Sequence, residues 1–195
     1  MHPYEYLPNE RDRIVVVMAI VSVLVVKTAV EVFSSIGFVA PWWLELPSVL
    51  GVYRLMFEAV DRSLWRHPWA RRLGLFTTPD LTGTWIGVVR SSFDEFATPT
   101  ELEIKIRQRW TRISIEWRAG QSRSTSRVAL FQCQDSALEA DYVFHNDPAA
   151  SAPRTMVPFD GAAAFTTRSP YNELEGTYFT GRGRETHGEF KANRL

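Results

Sequence analysis

The run Ile14–Val26, IVVVMAIVSVLVV, constrains this chain more than any other feature. A bilayer span takes roughly 20 mostly apolar residues. The clean run is shorter, and it reaches that length only by continuing through Lys27 and Glu31 to Val32, Phe33 and Ile36. The two charges are tolerated there if they snorkel or pair one helical turn apart. A cleaved signal peptide also carries a short apolar core behind basic residues. Here the preceding Glu10-Arg11-Asp12-Arg13 is mixed in charge, no A-x-A site follows, and a second apolar segment comes close behind. These features favour a retained membrane helix.

The second segment runs from Pro41 to Trp65 and contains Glu45, Arg54, Glu58 and Asp61. Arg54 and Glu58 are four residues apart, as are Glu58 and Arg62, so both pairs meet on one helix face. Ionisable groups within a membrane face a partner helix or water rather than lipid. Arg54, Glu58 and Asp61 are therefore candidates for a polar seam used in oligomerisation; the alternative is an interfacial helix whose charges stay wet. Trp42, Trp43, Trp65 and Trp69 resemble interfacial belts. Arg11 and Arg13 precede the first helix, while Arg62, Arg66, Arg71 and Arg72 close or follow the second. The connection from Ser34 to Trp43 has no Lys or Arg. The positive-inside rule then predicts a multi-pass protein with its N-terminus and C-terminal half in the cytoplasm.

After Thr77-Thr78-Pro79-Asp80, a turn and domain boundary, the period changes from helical to two. Leu102, Ile104 and Ile106 alternate with charged residues, as do Ile113, Ile115 and Trp117, then Leu138, Ala140, Tyr142 and Phe144. Each reads as a half-buried antiparallel strand. Adding less regular stretches near residues 83–91, 123–133, 156–167, 172–182 and 184–194 gives about eight strands, enough for a closed up-and-down barrel that holds one small ligand. Turns are expected at Ala119-Gly120, Gln134-Asp135 and Asn146-Asp147-Pro148, and a long loop over Ala149–Pro158. The predicted fold is an α+β membrane protein: two N-terminal transmembrane helices and a basic linker over residues 1–76, then an antiparallel β-barrel over residues 77–195. A two-sheet sandwich is the alternative architecture.

Strand parity assigns the barrel interior. Trp85, Trp110, Leu174 and Phe190 lie inward at the end where the barrel meets the linker. Ser124, Ser126 and Asn146 lie inward at the other end, and Thr180, Arg182, Arg184 and Thr186 flank the last hairpin. Hydroxyls, an amide and guanidinium groups converging on one mouth suit a phosphate-bearing ligand, because Arg binds phosphate oxygens bidentately. Tyr142 and Tyr178, one step deeper, are placed to stack on bases. Taken singly, serine-rich strand ends and arginines near a tight turn are ordinary solvated features.

Other chemistry is missing. Neither a G-x-x-x-x-G-K-[ST] loop nor a Rossmann fingerprint after a strand occurs. His2, His67, His145 and His187 are scattered away from the single Cys133, without metal-ligand spacing. One cysteine excludes an internal disulfide framework. Asp94, Glu95, Glu101 and Glu103 supply carboxylates, but acids exposed on strands are usually solvated. No catalytic residue, metal or cofactor is assigned, and 22 basic against 22 acidic side chains give no sign of DNA or RNA binding.

Two resemblances follow. Leu81-Thr82-Gly83-Thr84-Trp85 resembles the G-x-W opening of lipocalin barrels, a short motif. A broader one joins the two helices, Leu64-Trp65-Arg66, Pro79-Asp80-Leu81-Thr82-Gly83-Thr84-Trp85, and Leu174-Glu175-Gly176-Thr177-Tyr178-Phe179 with Arg182, Arg184, Thr186 and Gly188-Glu189. Together these resemble the SMODS-associating two-transmembrane, β-strand-rich effectors of bacterial CBASS anti-phage systems. The resemblance implies a barrel that binds a cyclic dinucleotide made by a partner nucleotidyltransferase. It further implies homo-oligomerisation through the membrane helices, disruption of the inner membrane and death of the infected cell. A membrane-tethered carrier of an apolar ligand and a non-catalytic docking subunit are the alternatives.

Overall fold

The computed structural model describes residues 1–7, 10–37, 41–134, 137–149, 157–181 and 185–195. The chain divides into two compact units: a helical one ending at Thr77, and a sheet formed by the N-terminal strand together with everything from Thr78 to Leu195.

In the helical unit, α1 spans Glu10–Ser35 and α2 spans Trp42–Arg62. At 1.5 Å per residue α1 is about 39 Å long, more than a hydrocarbon core of about 30 Å. Ile14, Met18, Ser22 and Val26 recur every four residues and form its buried stripe. Ser22 is fully buried and donates its hydroxyl to the Ala19 carbonyl at 2.8 Å, so a small side chain stands mid-stripe without an unmet polar group. The remaining circumference, including Val16, Ile20, Leu24 and Val32, is exposed although apolar. Only 22% of its most apolar stretch is buried, which separates α1 from the core helix of a soluble protein. It is long and apolar enough to cross a membrane; no other helix among the described residues is. α2 interrupts its apolar residues with Glu45, Arg54, Glu58 and Asp61. A single 3-10 turn at Leu64–Arg66 and α3, Pro68–Arg72, bring the chain back to the start of α1. There the Glu10 carboxylate accepts the Thr77 N–H and hydroxyl, and Arg13 donates to the Gly74 carbonyl at 3.2 Å.

The sheet has nine strands: β1 His2–Leu7, β2 Gly83–Ser91, β3 Thr100–Gln108, β4 Arg112–Ala119, β5 Ser122–Gln134, β6 Ala137–Pro148, β7 Phe159–Arg168, β8 Glu173–Thr180 and β9 His187–Arg194. From β2 onward each strand pairs antiparallel with the next, and β9 returns to β2, so the ladder closes on itself. The alternation of residues 100–118 and 138–145 therefore reports what it was expected to report. β6 runs on through the Asn146–Pro148 segment expected as a turn. Most of the expected 149–158 loop, and Asp135 of the expected turn, lie outside the described residues.

β1 corrects the assignment of the whole N-terminus to the membrane segment. β4 and β5 pair only over Glu116–Ala119 and Ser122–Thr125. Beyond that they part, next to a register shift between Ser126 and Val128 in the β5–β6 ladder, and β1 fills the opening. It pairs antiparallel with β4 at His2 and Pro3, and parallel with β5 from Tyr4 to Leu7. Tyr4 and Tyr6 point into the core, where the Tyr4 ring lies 5.0 Å from Phe131. Gln108 secures this corner. It donates to the Tyr4 hydroxyl and the Pro79 carbonyl and accepts the Leu81 N–H, which satisfies a buried amide completely enough to be tolerated.

Trp85, Trp110 and Leu174 are buried toward the end where β2 begins, as strand parity predicts; Phe190 is buried too, but it stands opposite Val89 near the other end of β2, because β9 runs antiparallel to β2. Parity fails on β4, where Ser114 and Glu116 are buried on the outward side. Glu116 is covered by Arg107 and Arg123, whose guanidinium groups meet its two carboxylate oxygens.

Candidate functional site

Inward-facing side chains enclose a cavity of about 220 Å³ at the end of the sheet opposite the start of β2. Its floor is Trp117. The indole packs edge-on against Phe190 at 4.4 Å and Tyr178 at 6.2 Å, and parallel to Phe144 at 6.5 Å. Strand parity marks Trp117 as inward, but nothing in the sequence singles it out as the residue on which four strands converge.

Ser122 and Ser124 of β5 line the cavity, and each donates its hydroxyl to Asn146 Oδ1, at 2.5 and 2.9 Å. Asn146 is fully buried behind them. Its register opposite Ser124 in the β5–β6 ladder makes the contact possible. With their protons committed to the amide, both serines offer lone pairs to the cavity. The Asn146 Nδ2 group has no partner.

Thr180 and Thr186 close the far wall. Thr186 N–H donates to Thr180 Oγ1 at 2.9 Å, and Thr180 N–H returns to the Thr186 carbonyl at 2.8 Å. This pair locks the base of the last hairpin. Arg182 and Arg184, and the hairpin turn expected there, lie outside the described residues. No Lys or Arg is among the described residues that line the cavity.

The fourth side is a loop that sequence reasoning did not assign. Ser92–Asp94 forms a 3-10 turn capped by the Ser91 hydroxyl, which accepts the Phe93 N–H at 3.2 Å. Glu95 and Phe96 follow at positive φ, 56° and 64°, folding the chain back. Ser92 Oγ accepts the His187 N–H at 3.0 Å and so ties the loop to β9. Phe93 and Asp94 are thereby placed in the cavity wall, with the Phe93 ring 78% exposed and free to cover a ligand.

The structure thus gathers Ser124, Tyr178, Thr180 and Thr186 at one cavity, with Asn146 in support. Ser126 and Tyr142 lie elsewhere. The Ser126 hydroxyl accepts the Ile115 N–H at 2.9 Å and meets His2 Nε2 at 2.7 Å, where β4 and β5 separate. Tyr142 is buried beneath Trp117 and packs against Phe165 at 6.1 Å, below the cavity lining. In the helical unit, Arg54 and Arg62 flank Glu58 at 3.6 and 2.5 Å, whereas Asp61 is buried. Of the three residues expected at a polar seam, Arg54 and Glu58 therefore reach the surface. A larger open groove, about 990 Å³, crosses outward-facing side chains of β7, β8, β9 and β2. Its Lys191 is already held by Glu173 and Glu175, so the interior cavity is the better candidate.

Burial raises the Tyr142 pKa well above that of an ordinary phenol, partly opposed by the nearby Trp117 indole N–H. That indole faces the hydroxyl without hydrogen-bond geometry, and neither polar atom has a partner. Removing an unpartnered buried hydroxyl is neutral or mildly stabilising. Tyr142→Phe is therefore expected to leave stability unchanged or raise it by up to about 1 kcal/mol at neutral pH. With a raised folded pKa, the native state holds more protons than the unfolded state above about pH 10. The Tyr142 contribution to stability is then lost as pH rises further. Thermal unfolding of both proteins at neutral pH and near pH 11 checks this: the wild type should show the larger alkaline loss.

Residues 76–194, which contain all eight antiparallel strands of the closed ladder, match the family described as Cap15, cyclic dinucleotide receptor domain. The chain belongs to the Cap15 family. It is also similar to CD-NTase-associated protein 15 of Yersinia aleksiciae, 29% identical over 154 residues that span 77% of this chain and 71% of that protein. The CBASS effector family indicated by the helices and by the Pro79–Trp85 and Leu174–Phe179 segments is thus the right one. The cavity lies wholly within the region that the Cap15 receptor domain covers.

Proposed function

We propose that this chain is a membrane-anchored CBASS effector whose closed sheet acts as a β-barrel receptor for a cyclic dinucleotide made by a partner nucleotidyltransferase. The observation that carries this reading is the coincidence of the Cap15 receptor domain with a polar-walled, aromatic-floored cavity at one end of the sheet. Trp117, Phe93 and Tyr178 supply faces on which bases stack, a contact worth about 1–3 kcal/mol per base. Ser122, Ser124, Thr180 and Thr186 supply polar contacts, and Arg182 and Arg184 are the proposed phosphate contacts.

In this reading α1 and α2 both anchor the chain in the inner membrane, with the N-terminus and the barrel in the cytoplasm. Glu10 holding Thr77 keeps both ends of the helical unit together, which fits that topology. The ligand binds an assembled state more tightly than the resting one and so shifts the population toward it. Arg54 and Glu58 on α2 contribute to the contacts between copies. The assembled helices then disrupt the bilayer without a catalytic step, and the infected cell dies.

The test uses the full chain in lipid nanodiscs and in dye-loaded liposomes. A saturating cyclic dinucleotide should raise the unfolding midpoint by mass action, by the equivalent of about 2.7 kcal/mol at a hundredfold excess over Kd. The same ligand should release dye, and linear nucleotides should do neither. A folded chain indifferent to every cyclic dinucleotide would overturn the receptor reading. A midpoint shift without dye release would overturn the membrane-disruption step alone.

A further inference from the structure

One outward row of the sheet is apolar where alternation ordinarily places polar side chains. Val128, Val143, Ala162 and Phe179 stand opposite one another on β5, β6, β7 and β8. Val128, Val143 and Phe179 are exposed, Phe179 by 60%. Leu130 and Ala164 continue the patch in the next row, and the two rows line an open groove of about 640 Å³. A contiguous exposed apolar patch marks an interaction site. Its charged neighbours are acidic. Glu5 and Asp141 line the groove, and Glu189 follows on β9, opposite Thr177. Arg127 is engaged elsewhere, with Asp160 at 3.4 Å.

The flank across the closed ladder has the opposite sign. Among the eight antiparallel strands, β3 and β4 stand four places from β7 and β8 in either direction. Their outward positions hold no apolar side chain. Lys105, Arg107, Arg112 and Arg118 are exposed there, with Ser114 and the acids Glu101, Glu103 and Glu116 between them. Glu116 is buried and already shared by Arg107 and Arg123, and Arg118 meets Glu103 at only 3.9 Å. Lys105, Arg112 and Arg118 therefore leave this flank cationic. A formal net charge of zero thus conceals two flanks of opposite sign.

We propose that the apolar, acid-rimmed β5–β8 flank of one copy docks on the basic β3–β4 flank of a second copy. The aliphatic stems of Lys and Arg cover apolar surface while their heads reach the rim, and a guanidinium is attracted to the face of an aromatic ring such as Phe179. Asp141 and Glu189 receive the heads. Two different surfaces meet, so the contact does not end at a dimer but passes from copy to copy. Because the flanks lie side by side about the strand axes, every copy keeps the same end toward the bilayer, as anchored chains require. This rests on the assembly step of the reading above and adds the surfaces that meet. Phe179 stands between Tyr178 and Thr180, which line the cavity, so ligand and contact share one strand segment.

The test is cross-linking of the full chain, carrying Cys133→Ser, packed densely into liposomes of zwitterionic lipid without nucleotide. A bismaleimide should join chains with both Val143→Cys and Glu103→Cys into a ladder of dimers, trimers and higher species. Either cysteine alone should give about tenfold less, since neither flank meets its own kind. On the double-cysteine chain, Asp141→Lys with Glu189→Lys should cut the ladder about tenfold, because like charges then face each other. Adding Lys105→Glu and Arg118→Glu to that chain should restore it, which a merely misfolded variant could not do. Dimers from Val143→Cys alone overturn the proposal in favour of like faces pairing. No ladder from the double-cysteine chain, or a ladder indifferent to charge reversal, overturns it outright. None of these outcomes bears on the receptor reading, which the midpoint shift with cyclic dinucleotides tests separately.

Discussion

Trp85→Ala should lower the unfolding midpoint of the sheet by on the order of 10–20 °C, read by near-ultraviolet circular dichroism of the full chain in detergent. The indole is completely buried, and truncating such a side chain typically costs about 3–5 kcal/mol. Its Nε1–H also donates to the Leu81 carbonyl at 3.2 Å, which the variant leaves without that donor. The Arg194 guanidinium lies 5.5 Å over the same ring while donating to the carbonyls of Asp80 and Thr82. One side chain therefore organises the start of β2 and the end of β9, the two strands that close the ladder. A shift below about 5 °C would mean that this end of the sheet is not held by the indole.

Gly87→Val should be more severe and abolish accumulation of folded protein. A Cβ at Gly87 would stand 1.9 Å from the Lys191 carbonyl oxygen and 2.5 Å from the Ala192 Cα. Both are backbone atoms of the paired strand, so no rotamer change relieves the clash, and β2 and β9 would have to separate. Gly51 is the control. Nothing lies within 4 Å of its hypothetical Cβ, and it sits inside α2 without a positive φ. Gly51→Ala should therefore be neutral or stabilising by about 0.5–1 kcal/mol. Expression and circular dichroism of the two variants side by side separate a local steric effect from general intolerance. A well-folded Gly87→Val would show that the β2–β9 pairing is looser than its geometry.

Local chemistry made much of the fold legible. The strands over residues 100–118 and 138–145 announce themselves because one face is apolar and the other charged. α1 is legible because only Ser22 interrupts the apolar run from Ile14 to Val26, and α2 because its charges recur at helical spacing. β1 was not legible. It is six residues long, contains Pro3, has no hairpin partner nearby, and pairs with residues beyond position 110. At the cavity, period-two counting places Ser124, Tyr178, Thr180 and Thr186 correctly. It counts Ser126 with them because it does not register that the β4–β5 pairing ends at Thr125, which gives Ser126 to the β1 corner. Asp94 reads in the sequence as a solvated strand acid, because its place in the cavity wall depends on Glu95 and Phe96 adopting left-handed backbone without a glycine to signal it. Ser122 and Trp117 needed the register of β4 through β6, which no local pattern contains.

The parallel pairing of β1 with β5 has a consequence for the order of events on the ribosome. Tyr4 must wait for Ala129, about 125 residues later, before its strand has a partner. β1 is thus made well before its partner and is among the last strands to be placed, and α1 and α2 emerge in the interval. Contacts this distant in sequence slow folding, because the chain loses its freedom before the pairing rewards it. Until then the parted edges of β4 and β5 stand open as a template for any extended chain. The same strand from a neighbouring copy would fit them as well as the chain's own, so domain-swapped dimers are the misfolded species to look for when this protein is overproduced.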